Sequence, residues 1–161
     1  MTATMGELIH FARWVEALEL TLAVGADGGG RDPLLSVPVL GWNDVPGWDG
    51  NPSDPARFPA SDGVPPRKRW LQLSLTRGSI DADLMGGQQR RIKWYLQTLA
   101  VASTADEVRM IRDRVHQHRN RRVPIPHGSP LRLAEEDAVR QLPNRGGLYE
   151  GESTWWYATR P

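Results

Sequence analysis

The segment Trp70-Leu71-Gln72-Leu73-Ser74-Leu75-Thr76 alternates between apolar and polar side chains. Successive side chains of a β-strand point to opposite faces, so this alternation predicts a strand with Leu71, Leu73 and Leu75 facing inward. Arg77-Gly78 follows the strand and predicts a turn. Further along, residues 154–158 are rich in tryptophan and tyrosine and predict a second short strand or an extended arm.

A helix is predicted before this strand from a capping box. Thr4 and Glu7 stand three residues apart, the spacing at which each side chain can accept a hydrogen bond from the other's backbone N–H. Apolar residues then recur every three or four positions from Leu8 to Leu22, as expected for one buried face. We expect this helix to end near Gly25.

Two more helices are predicted after the strand. Over residues 88–103, Ile92, Leu96 and Leu99 fall on one helical face, which predicts a central core helix. A second capping box precedes residues 105–120 and predicts a helix there.

A fourth helix is predicted over residues 129–142. Ser129-Pro130 combines a preferred N-cap residue with a proline in the first turn, and Pro143 marks the end. The predicted fold class is therefore α+β and mainly helical, with about four helices and a small β element.

Residues 25–69 contain eight glycines and eight prolines in 45 positions, a share that is typical of low-complexity segments. The same segment also carries much apolar surface, which an ordered chain would bury. These side chains are Leu34, Leu35, Val37, Val39, Leu40, Trp42, Val45, Trp48, Phe58 and Val64. We interpret residues 25–69 as a long, lasso-like, ordered Pro/Gly-rich loop that packs over its own helices or reaches a neighbouring chain.

A chain of 161 residues is close to the common size of one domain, so we expect residues 1–161 to form a single domain. Charged residues interrupt the first apolar segment, and the longest charge-free apolar run there, residues 20–26, is too short to cross a bilayer. We therefore predict a soluble protein without a signal peptide or a membrane partner. Its expected location is the cytoplasm, or a virion if the chain derives from a phage.

The chemistry-bearing residues do not form a recognisable catalytic set. The chain has no cysteine, which excludes disulfides, cysteine-ligated zinc and a cysteine nucleophile. His116 and His118 would point in nearly opposite directions on a helix and make a poor metal pair. No EF-hand, P-loop or serine-hydrolase motif is present. We predict a protein that is not an enzyme and has neither a metal site nor a cofactor, while a histidine–carboxylate site assembled by the fold stays open.

A basic stripe is predicted on the helix over residues 105–120. Helical rotation places Arg109, Arg112, His116 and Arg119 side by side next to an apolar face. Such a stripe can follow a phosphate backbone, and other cations could assist it. These are Arg90, Arg91, Lys93, Arg121 and Arg122. The same arginines can instead pair with nearby acids and rim a buried face, so nucleic-acid binding is the alternative function.

Aromatic residues mark two segments that could reach a partner, the 25–69 loop and a C-terminal arm over residues 145–161. Large aromatic side chains are common in the energetically dominant parts of protein interfaces. The predicted interface residues are Trp42, Trp48, Phe58, Tyr149, Trp155, Trp156 and Tyr157. Trp14, Trp70 and Trp94 are instead assigned to the core.

Charge is distributed unevenly along the chain. Residues 1–64 hold three basic and nine acidic side chains, whereas residues 88–122 hold nine basic and three acidic. The two parts could fold against each other or face different partners.

These features together predict an interaction or assembly protein. We expect a subunit of a larger complex, such as a phage particle or another mobile-element assembly, that contacts a protein partner or further copies of itself. The long loop and the aromatic C-terminal arm are its expected contact segments.

Overall fold

A computed structural model describes residues 5–23, 37, 39–41, 69–82, 90–117, 123–142 and 148–160. These residues form two helices and six strands in the order α1 (Met5–Ala23), β1 (Val39–Gly41), β2 (Trp70–Ala82), β3 (Arg90–Ala102), α2 (Ala105–Gln117), β4 (Arg132–Glu136), β5 (Arg140–Gln141) and β6 (Tyr149–Thr159). The strands make one sheet in the order β1-β2-β3-β6-β4, and β5 also pairs with β6. β1 is parallel to β2, and the other pairs are antiparallel.

The predicted fold class is wrong, because the described part of the chain is mainly sheet rather than mainly helical. The helix predicted over residues 88–103 is wrong, because Arg90–Ala102 is a 13-residue strand. Its buried side chains include Trp94, Leu96 and Ala100, which alternate along the chain, whereas Leu99 points to the other side of the sheet. The segment is also rich in aromatic and β-branched residues, which favour a pleated surface.

The helix expected over residues 129–142 is also wrong, because this segment forms β4 and β5. Ser129 does not cap a helix. Its backbone N–H donates to the Ala158 carbonyl at 2.7 Å, and its Oγ accepts from the Ala158 N–H at 2.9 Å. The serine therefore links its segment to β6 instead of starting a helical turn.

The strand predicted over residues 70–76 is confirmed, although β2 runs on to Ala82. No turn forms at Arg77-Gly78. The pairing between β2 and β3 instead shifts register between Arg77 and Ile80, as at a β-bulge. The second predicted strand, over residues 154–158, is confirmed within β6, which lies between β3 and β4.

The helices predicted from capping boxes are confirmed as α1 and α2. At the start of α2, the Glu107 N–H donates to Thr104 Oγ1 at 3.2 Å, as the capping box requires. The Glu107 carboxylate accepts a bond from Ser103 Oγ at 2.9 Å. Thr4, the predicted cap of α1, lies outside the described residues.

Most of the 25–69 loop also lies outside the described residues. Within it, Val39–Gly41 forms β1 and pairs with β2, so this short piece belongs to the sheet. Val37 and Val39 are both buried in the main core.

Both helices pack on one side of the sheet. Trp14, Leu18 and Leu22 of α1 are buried there, and α2 contributes Val108, Ile111 and Val115 to the same cluster. Burying each large apolar side chain contributes about 1.5–3 kcal/mol. Neither described helix is long and apolar enough to cross a membrane.

Candidate interaction surface

The side of the sheet opposite α1 and α2 is called the open face below. It is formed by the side chains that alternate with the core-facing ones, so Tyr95 lies on it between buried Trp94 and Leu96. In the described part of the chain, the buried residues of both helices pack against the core side of the sheet and not against the open face. The open face includes Ser74, Thr76, Lys93, Tyr95, Gln97, Arg132, Glu135, Glu152, Thr154 and Trp156.

Two aromatic side chains stand at the centre of the open face. Tyr95 of β3 and Trp156 of β6 are direct partners in the strand register, and both are half-buried. Directly opposed side chains on neighbouring strands lie close enough to contact each other. The pair therefore places two aromatic side chains next to each other across two strands.

Two cations lie against these rings. Lys93 Nζ is 4.6 Å from the ring centroid of Trp156 and 5.2 Å from that of Tyr95. Arg132 Cζ is 5.1 Å from the Trp156 centroid. Each such contact stabilises its cation by about 0.5–1 kcal/mol at an exposed site. The contacts also hold the two charges in place above the aromatic surface.

Gly78 leaves the space that the Tyr95 ring occupies. A Cβ atom at residue 78 would lie 2.7 Å from Cε2 of Tyr95 and 3.1 Å from the backbone oxygen of Lys93. Real side chains do not tolerate the shorter distance, so a larger residue here would displace the ring. The bulge in β2 thus helps to set the orientation of Tyr95.

An acidic group adjoins the aromatic centre on the same face. Glu135, Asp137 and Glu152 line a small pocket of about 150 Å³ together with Gln97 and Thr154. Burial, followed by the negative charges of Asp137 and Glu150, raises the pKa of the Glu152 carboxyl. The open face thus carries cations and acids in separate places.

Beyond Gln97, the same side of the sheet ends in a covered apolar cluster. Trp70 and Val101 are fully buried there, and Leu40, Leu99 and Leu148 pack against them. The Trp70 indole N–H donates to Gln72 Oε1 at 2.9 Å. The accessible part of the open face therefore lies toward Lys93, Tyr95 and Trp156.

The basic stripe predicted on residues 105–120 is largely engaged within the protein. Arg112 is buried and forms an ion pair with Glu136, and His116 Nε2 lies 2.7 Å from the other oxygen of that carboxylate. Arg109 is exposed and pairs with Asp106 at 2.8 Å. Arg119, Arg121 and Arg122 lie outside the described residues. The described cations of the stripe therefore do not form one free surface.

The other cations proposed for nucleic acid come from β3. Lys93 belongs to the open face, and Arg91 is exposed on the same side of the strand. Arg90 begins β3, but its side chain is not among those described. The structure thus separates the cations of β3 from those of α2.

The predicted interface residues divide between the core and the surface. Trp155 and Tyr157 are fully buried beneath the helices, whereas Trp156 points to the open face. Tyr149 is half-buried at the start of β6. Trp42, Trp48 and Phe58 lie outside the described residues.

Among the described residues, a histidine and a tyrosine also lie within hydrogen-bond distance of each other. His10 Nδ1 lies 3.0 Å from the Tyr157 hydroxyl, and burial and then Arg13 lower the pKa of His10. Burial also raises the pKa of Tyr157, whose side chain is inaccessible to solvent. The His10 ring packs on Trp94 with centroids 4.2 Å apart. This pair therefore belongs to an aromatic part of the core.

Of the four central residues of the open face, Lys93 and Trp156 are among those proposed from the sequence, whereas Tyr95 and Arg132 are not. Interpreting residues 90–102 as a strand would have placed Lys93, Tyr95 and Gln97 together by their alternation. No comparable signal marks Arg132, because its contact with Trp156 depends on the pairing of β4 with β6.

Comparison of the chain with protein-family models and with curated proteins gave no match. Within the described ranges, no three histidine, aspartate or glutamate side chains are grouped so that they could hold a metal ion. The geometry of the open face is therefore the observation on which a function can rest.

Proposed function

We propose that this chain is a non-enzymatic subunit of a larger assembly, and that its open face binds a protein partner. The observation that carries the proposal is the Tyr95–Trp156 pair with Lys93 and Arg132 held against it. Tryptophan, tyrosine and arginine are the residues most often found among interface hot spots. We propose that this larger assembly is a phage particle or another mobile-element assembly.

The charge pattern supports a protein partner over a simple anion. Lys93 and Arg132 favour acidic groups near the rings, whereas Glu135 and Glu152 favour basic groups beside them. A partner that covers both parts of the face would need both charges at the matching spacing, since like charges brought together cost several kcal/mol. The open face could thus discriminate between partners as well as bind one.

The first test is site-specific photo-crosslinking in cells that express the chain natively. A photoreactive phenylalanine analogue at residue 95 is expected to link to a defined partner protein. The same analogue at residue 109, which is exposed on α2, is the matched control and is expected to give no such adduct. Equal adducts at both positions, or none at residue 95, would overturn the proposal.

Affinity then measures the contribution of the ring. Trp156→Ala is expected to weaken binding of the purified, crosslink-identified partner about tenfold or more, the loss usual for an aromatic hot spot. Arg109→Ala is the control and should bind like the unmodified chain. Near-ultraviolet circular dichroism of both variants shows whether the core has kept its packing. Unchanged affinity for a folded Trp156→Ala would contradict the proposal.

Single-stranded nucleic acid is the second candidate ligand, because Tyr95, Trp156 and Lys93 lie together on the open face. Bases stack on exposed aromatic rings, and a lysine beside such rings can contact phosphate. Titrating labelled DNA and RNA over a series of salt concentrations separates the two candidates. Binding that weakens linearly on a log–log salt plot and is lost in Trp156→Ala would favour nucleic acid. No binding at low salt would exclude it.

A further inference from the structure

The outward face of α1 has a composition that a solvated helix normally avoids. Met5, Leu8 and Ile9 are 73%, 54% and 48% exposed, and exposed Ala12 follows them. Helical geometry places all four on one side, opposite buried Trp14 and Leu18. This side will be called the α1 patch, and its apolar part is unusually open to solvent for a water-soluble protein.

The α1 patch continues into acidic residues. Glu16 and Glu19 are exposed on the same side of the helix, one and two turns beyond Ala12. The described basic residue of α1, Arg13, lies to one side of this line. The patch is therefore apolar in its first half and negatively charged in its second half.

The open face is complementary to this patch. It offers an aromatic surface, Tyr95 and Trp156, beside the cations Lys93 and Arg132. Apolar side chains on the α1 patch would match the rings, and Glu16 and Glu19 would match the cations. Matching charge patterns of this kind steer encounter and fix the register of an interface.

We infer that the chain assembles with further copies of itself, the α1 patch of one copy docking on the open face of the next. This inference rests on the proposed function and names a second copy as the partner of the open face. The apolar contact supplies the burial, and the acid–base pairs supply the orientation.

The placement of the two surfaces determines the kind of assembly. α1 packs on one side of the sheet and the open face is the other side, so the two surfaces point in roughly opposite directions. A two-fold pair needs the same patch on both partners, which this contact does not provide. A row of copies instead has a free α1 patch at one end and a free open face at the other, so further copies can be added at both ends. The copies therefore form a ring if the rotation closes, or a filament if it does not.

The test measures mass against protein concentration by sedimentation velocity and mass photometry. The full chain is expected to form species at multiples of 18.0 kDa that grow with concentration and shrink as salt is added. A mass that stays at one chain at every concentration would overturn self-assembly. The crosslink at residue 95 to a different protein would then still support the proposed function.

Two charge-reversal variants make the test specific. Variant one, Glu16→Lys with Glu19→Lys, carries a basic helix and a basic open face. Variant two, Lys93→Glu with Arg132→Glu, carries two acidic surfaces. Each alone is expected to remain a single chain, whereas an equal mixture is expected to assemble, because each helix then meets an open face of opposite charge. This recovery also shows that both variants are folded.

A matched control removes the effect of net charge. Arg77→Glu with Arg109→Glu changes the charge as much as variant two, but both residues are exposed and lie off the open face. By itself this control is expected to assemble like the unmodified chain, because its α1 patch and its open face are both unchanged. A control that stays a single chain, as variant two does, would overturn the assigned surfaces.

Discussion

Gly151 shows how a single residue sets the distance between α2 and the sheet. A Cβ atom at residue 151 would lie 2.9 Å from Arg112 Nη1 and 3.0 Å from Cγ1 of Val108. Both neighbours belong to α2 and are buried. The missing side chain therefore lets the helix approach β6 and gives the Arg112 side chain its path along the strand.

Gly151→Ala is expected to destabilise the protein by about 1–3 kcal/mol, the usual cost of forcing extra volume into a packed core. Urea unfolding followed by circular dichroism measures the change. Gly6→Ala is the control, because Gly6 is exposed on α1 and alanine there is expected to be neutral or slightly stabilising. A Gly151→Ala protein as stable as the unmodified chain would show that α2 can move away without loss.

Glu152 provides a pH-dependent prediction. Its folded-state pKa is raised from the usual 4.5 by burial and by Asp137 and Glu150, so the folded protein holds this proton more tightly than the unfolded chain. Stability is therefore lost as pH rises through 4.5 and the raised value, and the full cost is present above both. Glu152→Gln is expected to raise the midpoint of thermal unfolding at pH 7, with a gain that disappears below pH 4.5.

Asp113→Asn is the control for this prediction. It removes the same charge from the exposed side of α2, away from the acidic pocket, and reports the effect of net charge alone. Thermal unfolding of both variants over a pH series makes the comparison. A gain in Glu152→Gln that is the same at pH 4 and pH 7 would contradict the assignment.

At the scale of elements, one carboxylate connects α2 to β4. Glu136 contacts Arg112 through one oxygen and His116 through the other, and Arg112 is only 8% exposed. Removing the partner of such a cation lowers the stability of the fold by more than the ion pair contributes to it. The reason is that the remaining charge is still buried and is not solvated by water.

Glu136→Ala is expected to cost about 1–3 kcal/mol and to speed hydrogen exchange of the β4 amides. Glu135→Ala is the matched control, because Glu135 is the neighbouring residue and lies on the open face. Urea unfolding and exchange followed by mass spectrometry measure both effects. Equal losses for the two variants would mean that the ion pair does not hold β4 in place.

Local signals predicted some elements correctly and misled for others. The capping box at Thr104 and Glu107 predicted α2, because a cap acts through neighbouring atoms. The spacing of Ile92, Leu96 and Leu99 fits one face of a helix. Their segment is nevertheless a strand that pairs with the long strands β2 and β6 on its two sides. Those partners are distant in sequence, and the pairing overrode the apparent helical period.

At the scale of the whole molecule, the open face joins residues that the sequence had assigned to different roles. Lys93 was grouped with possible phosphate contacts and Trp156 with interface residues, but they meet because β6 pairs with β3. The sequence alone identified this cation and this aromatic residue as candidates for a binding surface. Their adjacency could not be predicted, since it depends on which strand takes the place beside β3.

The place of β6 also has a consequence for synthesis. β6 comes last among the described strands, yet it lies between β3 and β4. A chain still being translated before residue 149 has β3 with one edge unpaired, and such an edge can capture other nascent chains. The sheet can be completed only after residues 149–159 have left the ribosome and β6 has paired with β3 and β4. The yield of folded protein therefore depends on how well that edge is shielded during the last part of translation.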